Sequence, residues 1–347
     1  MTVLVIGGTG FISGAVVQRF AAEGDEVVLF NRGRSQSHGD FVTITGDVAS
    51  LDKSRDALRA VEPDVVVHSV AYSEQDGERL VDVFDGSSAR LVVLGSQDCY
   101  EGFHAFQVGR ELTDFPIQED DPLAPRHYWK AHGHPSHAST ESYDKNLMTA
   151  VVMAAAQQDR VRATVLRLPM VWGPLDPQPQ YRHGDIVWHL LDAQPAMVIG
   201  AREQAQVWTY GYIDNVAAAI VHAAGCQETD GGVYNLGETR VRTRRRWAEL
   251  FAHAAGRALD FLVVPDELLE PDKDPNGPAF HLMMDDNAFV RETGFRDPVS
   301  LDQGIERTLA WSRDHEAELG PRPDYEGRLR LAHAYADAVG QLAHETK

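Results

Sequence analysis

The sequence predicts an α/β protein built on a doubly wound parallel sheet, and three observations carry that expectation. Short apolar, β-branched runs alternate with helical stretches from the first residues onward. The segments between these runs are long enough for crossover helices, which cover a parallel sheet on both faces. The first strand-to-helix junction is a glycine-rich turn, Gly7-Gly8-Thr9-Gly10.

In order, Thr2 to Ile6 reads as a strand, Phe11 to Ala22 as a helix and Glu26 to Phe30 as a second strand. Val42 to Thr45 is a third strand candidate, followed by a helical Leu51 to Val61, a strand at Asp64 to Ser69, a helix near Gly77 to Phe84 and a strand at Arg90 to Gly95. Right-handed crossovers then give the doubly wound order. From Tyr100 to Ser139 the pattern dissolves into Pro, Gly, His and acidic residues, too long for an ordinary connection and therefore read as a functional loop or lid. A helix from about Ser142 to Gln158 and a strand at Ala163 to Leu168 resume the sheet. Beyond Gly173 the spacing predicts strands at Ala196 to Gly200, Val207 to Tyr212, Val233 to Leu236 and Asp260 to Val264. Helices are predicted near Asp185 to Leu191, Asn215 to Ala224, Trp247 to Ala255, Leu301 to Arg313 and Arg328 to Leu342.

Composition narrows the function classes. The 32 Lys plus Arg against 52 Asp plus Glu give a formal charge of -20, which repels phosphate backbones and anionic membranes. No 18-residue apolar run and no basic, cleavable leader is seen, so a cytoplasmic protein is expected. Cys99 and Cys226 are too few for a disulfide framework and read as core thiols in a reducing compartment. The densest basic run, Arg240, Arg242, Arg244, Arg245 and Arg246, reads as a solvated helix start rather than a ligand patch.

The glycine turn carries the first chemical expectation. Gly7-Gly8-Thr9-Gly10-Phe11-Ile12-Ser13 lies between a first strand and a first helix, where glycines let a pyrophosphate approach the helix N-terminus, as in the Rossmann fold. Ser13 stands where a third glycine normally allows close helix packing. At the end of the second strand, Asn31-Arg32-Gly33-Arg34 offers no Asp or Glu to read a ribose 2'-hydroxyl, and Arg32 and Arg34 suit a 2'-phosphate instead. NADP(H) is therefore the favoured cofactor, with NAD(H) the alternative. Asp47 can meet the adenine amino group or cap the following turn.

Taken together with Gly46-Asp47-Val48, Val67-His68-Ser69-Val70-Ala71, Gly95-Ser96-Gln97-Asp98-Cys99-Tyr100, Arg167 to Pro174 and Tyr212-Ile213-Asp214-Asn215-Val216, the sequence resembles the extended short-chain dehydrogenase/reductases, the NAD-dependent epimerase/dehydratase family. The resemblance spans roughly Met1 to Ala224. It implies a Rossmann domain over 1–172 and a smaller C-terminal α/β substrate domain over 173–347, with some late elements returning to the first sheet. Implied cofactor contacts are Gly7, Thr9, Gly10, Phe11 and Ile12, then Asn31, Arg32, Asp47 and Val48, then Ser69, Val70 and Ala71, and finally Lys145, Pro169, Met170 and Val171. Gln97, Asp98, Trp172 and Tyr210 are the implied substrate contacts. The expected partner is a small molecule such as a nucleotide sugar, not nucleic acid or a membrane, and a homodimer is compatible with this reading.

By the same resemblance, Ser96 matches the family's catalytic hydroxyl and Lys145 its lysine. The family's tyrosine, four residues before that lysine, is replaced by Glu141, and Tyr143 lies nearly opposite Lys145 on a regular helix. Three readings stay open: Tyr143 acts from a backbone outside the helix, with Ser142 as N-cap; Glu141 replaces it; or Asp98 or a loop histidine moves the proton. Tyr143 is favoured, because a carboxylate beside a lysine stays ionised. His127, His132, His134 and His137 crowd the long loop, but no regular ligand frame accompanies them and no metal is expected. An NADPH-dependent ketoreductase of secondary metabolism and a non-catalytic dinucleotide sensor are the alternatives to an epimerase or dehydratase.

Overall fold

A computed structural model describes residues 1–33, 39–107, 114–126, 142–269 and 281–345. Its strands are β1 (Thr2–Ile6), β2 (Glu26–Asn31), β3 (Val42–Thr45), β4 (Val65–His68), β5 (Arg90–Ser96), β6 (Arg162–Leu168), β7 (Met170–Trp172), β8 (Ala196–Gly200), β9 (Val207–Trp208), β10 (Tyr210–Tyr212), β11 (Val233–Asn235), β12 (Arg242–Thr243) and β13 (Asp260–Val264). The helices are α1 (Phe11–Ala22), α2 (Arg55–Arg59), α3 (Glu74–Phe84), α4 (Glu101–Gln107), α5 (Lys145–Gln157), α6 (Gly184–Leu191), α7 (Ile213–Gly225), α8 (Arg244–Ala254), α9 (Asn287–Thr293), α10 (Leu301–Asp314) and α11 (Tyr325–Glu345).

Seven strands form one parallel sheet in the order β11-β6-β5-β4-β1-β2-β3. The chain moves outward from β1 in one direction through β3, then jumps back to β4 on the other side of β1. That reversal opens a crevice at the C-terminal ends of β1 and β4, where doubly wound sheets bind ligands. Alternation along β1 explains why both faces are covered: Val3 and Val5 enter one apolar cluster with α1 and α7, while Leu4 and Ile6 enter the other with α3 and α5. All four are fully buried. The later strands make three two-stranded pairs, β10 with β7, β12 with β9 and β13 with β8.

Several expected elements need correction. The helix expected over Leu51 to Val61 is a 3-10 turn, Val48–Ser54, running into the short α2. The long irregular stretch contains α4, whose local propensity is weak but whose Phe103 is buried in the main apolar cluster. The single strand expected over Val207 to Tyr212 splits at Thr209, which turns its hydrogen bonds aside. Its N–H donates to Leu282 O at 2.9 Å and its hydroxyl accepts from Met284 N at 2.8 Å. The helix α5 starts at Lys145 with Asp144, not Ser142, as its N-cap. Beyond residue 173, β11 joins the main sheet and α7 packs on α1, so the late chain contributes to the first layer.

Candidate active site

Gly7 follows β1 with φ +87, a conformation that L side chains avoid. A Cβ there would lie 2.8 Å from Ser69 Oγ and from both γ-methyls of Val70, so only glycine lets the β1 and β4 ends meet. Ser13 completes the turn rather than loosening it. Its hydroxyl donates to Gly7 O at 2.6 Å and accepts from Gly10 N at 3.0 Å, a clip that sequence reasoning did not foresee. Gly10 is the N-cap of α1, whose first residues line the crevice and whose first N–H groups have no partner within the helix.

A cleft of about 2000 Å³ runs from this turn across the C-terminal ends of the strands. Ligand pockets usually span about 300–1,000 Å³, so there is room for a dinucleotide together with a second molecule. Gly7, Thr9, Gly10, Phe11 and Ile12 line one end. Asn31, Arg32, Asp47 and Val48 line the rim beside them, where Asn31 Oδ1 accepts from Gly33 N at 2.8 Å and Asp47 caps the 3-10 turn by accepting from Ala49 N at 3.0 Å. Ser69 and Val70 lie between. Ser96, Gln97, Asp98, Tyr143 and Lys145 form the middle wall, and Pro169, Met170 and Val171 continue it. Pro174, Gln178, Tyr181 and Arg182 face them from the later chain.

Three implied contacts do not reach the cleft. Ala71 is fully buried beneath it. Trp172 is also fully buried, in edge-on contact with Trp247 at 4.8 Å and beside Tyr212 at 5.0 Å, with its indole N–H donating to Glu238 Oε1 at 3.1 Å. Tyr210 stacks on Trp247 at 4.9 Å. These aromatics form a core, because a large apolar ring gains most when fully removed from water. The arginine run does not line the cleft either: Arg244 is nearly buried against Asp185 at 2.5 Å, whereas Arg245 and Arg246 pair with Glu249 on the exposed face. Cys99 is buried, Cys226 is half-buried, and both are free thiols. Arg34, Glu141 and His127, His132, His134 and His137 lie outside the described residues. Among the described residues no group of three or more His, Cys, Asp or Glu could hold a metal ion.

The middle wall brings four reactive side chains together. Asp144 is in extended backbone and its carboxylate accepts from Leu147 N at 3.0 Å, so Tyr143 precedes the helix and Lys145 begins it. This frees the two side chains from the opposed directions that a continuous helix would impose. Tyr143 is 3% exposed, and its hydroxyl donates to Asp98 Oδ2 at 2.7 Å. Burial, followed by the Asp98 charge, holds the phenol well above its ordinary range. Lys145 Nζ donates to Leu94 O at 2.7 Å and Gly95 O at 3.3 Å. Burial pulls its ammonium down to about 8, opposed by Asp98. Ser96 ends β5, and its hydroxyl accepts from Asp98 N at 3.4 Å.

Tyr72 was not foreseen. Its ring stacks on Tyr143 at 5.9 Å and lies 5.2 Å from Lys145 Nζ, and its backbone carbonyl accepts from Asp144 N at 2.8 Å. Asp76 fixes this segment by accepting from the N–H groups of Tyr72 and Ser73, each at 3.0 Å. The Ser73-x-x-Asp76 spacing, a capping box at the start of α3, was the available signal.

Sheet order, glycine turn and cleft define a dinucleotide-binding protein of the Rossmann type. The chain belongs to the NAD dependent epimerase/dehydratase family, whose model matches residues 3–237. No curated protein matches it. Among solved structures it is similar to the UDP-glucose 4-epimerase of Thermotoga maritima with UDP-glucose, at 18% identity and TM-score 0.66, covering 91% of this chain and 100% of that one. The dTDP-glucose 4,6-dehydratase of Bacillus anthracis in complex with NAD is 15% identical with TM-score 0.66, covering 91% and 98%. The Thermus thermophilus UDP-glucose 4-epimerase complex with NAD is 20% identical with TM-score 0.65, covering 90% and 99%. At these identities the structures share the fold. Among the described residues no helix is long and apolar enough to cross a membrane.

Proposed function

We propose that this protein is an NAD(P)-dependent oxidoreductase of the epimerase/dehydratase type, acting at a carbinol or carbonyl carbon of a nucleotide sugar or related small molecule. The observation that carries this reading is the convergence of Ser96, Asp98, Tyr143 and Lys145 on one wall of the cleft that opens from the glycine turn. The three solved relatives described above are named as nucleotide-sugar epimerases or a dehydratase, two with NAD and one with UDP-glucose, which supports the substrate class. Two free cysteines suit a cytoplasmic setting.

The residues present fit a dinucleotide. Backbone N–H groups at Thr9 to Ile12 would hold the pyrophosphate, Asp47 and Val48 the adenine, Ser69 and Val70 the middle of the molecule, Lys145 the nicotinamide ribose, and Pro169 to Val171 the ring. When bound, the dinucleotide supplies reversible hydride acceptance at its nicotinamide. The chain's own part is orientation and charge: Ser96 donates to the reacting oxygen, and Lys145 places a cation on the same wall. The direct test is absorbance in the reduced-nicotinamide band of the purified, NAD-loaded protein with and without UDP-glucose. A signal is expected with the sugar and its absence counts against the substrate class.

Two expectations follow from this assignment. NADP(H) binds more tightly than NAD(H), because Arg32 stands on the exposed rim and no acidic group replaces Asn31 at the strand end. Calorimetric titration of both cofactors should show the preference and Arg32→Asp should reverse it, a lost charge-assisted contact costing about 1.5–3 kcal/mol. Equal affinities would remove NADP(H) from the assignment. Ser96→Ala should lower turnover by about 10² to 10³ with little change in cofactor affinity, since its donor serves charge that grows in the transition state. Steady-state rates alongside cofactor titration separate this from a turn-stabilising role, for which turnover would be unchanged.

A further inference from the structure

A phenol carries one hydroxyl proton. In Tyr143 that proton is committed to Asp98, at 2.7 Å and with both residues buried. While that bond is made, Tyr143 can accept a proton from a substrate but has no second one to give. We propose that Asp98 is the proton-accepting end of a two-residue relay, acting on the substrate through Tyr143. The proposal rests on the dinucleotide-dependent reaction assigned above.

Both members are held from behind. Asp98 lies on the 3-10 turn Gln97–Cys99 that follows β5, and the turn is closed by Ser96 Oγ accepting from Asp98 N. The next residue but one, Tyr100, is anchored by its hydroxyl donating to Asn235 Oδ1 at 2.6 Å and accepting from Arg167 Nη1 at 2.6 Å. Tyr143 is held by the stacked Tyr72 ring and by the capped start of α5. A proton path between two such fixed groups costs little reorganisation.

In the oxidising direction the substrate O–H bond breaks and its proton goes to Tyr143 Oη, as the phenol's own proton passes to Asp98 Oδ2. The adjacent C–H bond breaks and its electron pair leaves as hydride to the oxidised dinucleotide that the proposed activity supplies. The substrate becomes a carbonyl, the dinucleotide is reduced, and Asp98 ends neutral. The return step reverses each transfer. Free phenolate never has to accumulate, which suits a phenol held far above neutrality. Among the described residues the groups acting on Tyr143 are Asp98 and Cys99 after β5 and Tyr72 after β4, while Lys145, at the start of α5, lies over the Tyr72 ring and helps keep the fully buried His68 at the end of β4 neutral. Of these, Asp98 is the one that both hydrogen-bonds the phenol and can take its proton.

The test uses the full chain saturated with NAD, so that the expected preference for NADP(H) does not limit occupancy. Ultraviolet difference titration follows phenolate formation in the unmodified protein and in Asp98→Asn, with Tyr143→Phe as the blank that isolates one phenol. Asn keeps an oxygen that can accept from Tyr143 but cannot hold a proton, so Tyr143 is expected to ionise about one pH unit lower or more once the neighbouring negative charge is gone. In parallel, single-turnover reduction of the bound NAD by UDP-glucose is recorded from acid to alkaline pH. Asp98→Asn is expected to slow it about 10²- to 10³-fold at unchanged NAD affinity and to erase the acid limb of the profile, and Asp98→Glu to restore that limb. A Tyr143 titration unmoved by Asp98→Asn overturns the relay, as does an acid limb that survives. If the unmodified protein gives no reduction with UDP-glucose, the substrate class of the proposed function fails, while the phenol titration still decides for or against the relay. If Asp98→Asn does not fold, Asp98→Ala carries the titration: a Tyr143 phenol that ionises where it does in the unmodified protein, with the carboxylate gone, overturns the proposal.

Discussion

Tyr143→Phe lowers turnover by about 10²- to 10⁴-fold, the usual contribution of a positioned acid or base, while dinucleotide affinity stays close to that of the unmodified protein. The expectation follows from the cap: with Asp144 closing α5, Tyr143 stands outside the helix and its phenol reaches the cleft wall beside Lys145 and Ser96. The substitution also removes the donor to a buried carboxylate, costing about 1–3 kcal/mol of stability, so thermal unfolding is measured first. Steady-state rates of Tyr143→Phe and Glu141→Gln, both folded and both binding cofactor, then distinguish the candidates. Loss in Tyr143→Phe alone supports the assignment, and loss in Glu141→Gln alone transfers the role to the carboxylate.

Trp172→Ala destabilises the fold by about 3–5 kcal/mol, the range for emptying the space of a large buried ring. Trp172 is fully enclosed by Trp247, Tyr212, Phe251 and His183, and its indole N–H satisfies Glu238. Burial pushes Glu238 up to about 7, and Trp172 and Arg242 hold it from rising further. The sign follows from linkage: a carboxyl whose folded pKa exceeds its unfolded value favours the folded state below about 4.5 and loses that advantage as pH rises through about 7. Without the indole donor the ionised carboxylate is less well satisfied, so the destabilisation is larger at pH 8 than at pH 5. Urea unfolding at the two pH values measures both effects, and a loss under about 1 kcal/mol, typical of surface positions, would return Trp172 to a peripheral location.

The strands of the central sheet were legible where they are buried on both faces and bounded by turn residues, so β1, β5 and β6 fall within a residue of where periodicity puts them. What resisted local reading was set by partners far along the chain. Ser142 and Asp144 are both good helix caps, and nothing nearby chooses between them. The choice follows from Asp144 N reaching Tyr72 O and Lys145 Nζ reaching Leu94 O, contacts more than fifty residues away in sequence. The same holds for Trp172, whose place in an aromatic core depends on Trp247 and Phe251 of α8. Of the candidate site, the glycine turn, Ser96 and Lys145 could be read from pattern and resemblance. For Tyr72 the capping box pointed only to the ordered segment, because the role of the ring lies in its stacking on a residue from another element.

The outermost strand on the β6 side of the sheet, β11, comes from residues that follow β6 by more than sixty positions and arrives only after α7 has crossed onto α1. Until it arrives, β6 is an open edge presenting unpaired backbone groups along an apolar stretch, the surface on which newly made chains stick to one another. A chain emerging from the ribosome therefore cannot close its first layer when β6 is complete. It must hold the edge unprotected while the next seventy or so residues are added, which at about 5–20 residues per second leaves it exposed for several seconds. The pairing of Arg162 on β6 with Asp230, just ahead of β11, at 2.7 Å supplies a charged latch on that incoming segment. Division of this protein into two separately expressed halves at the apparent boundary would make that transient exposure permanent.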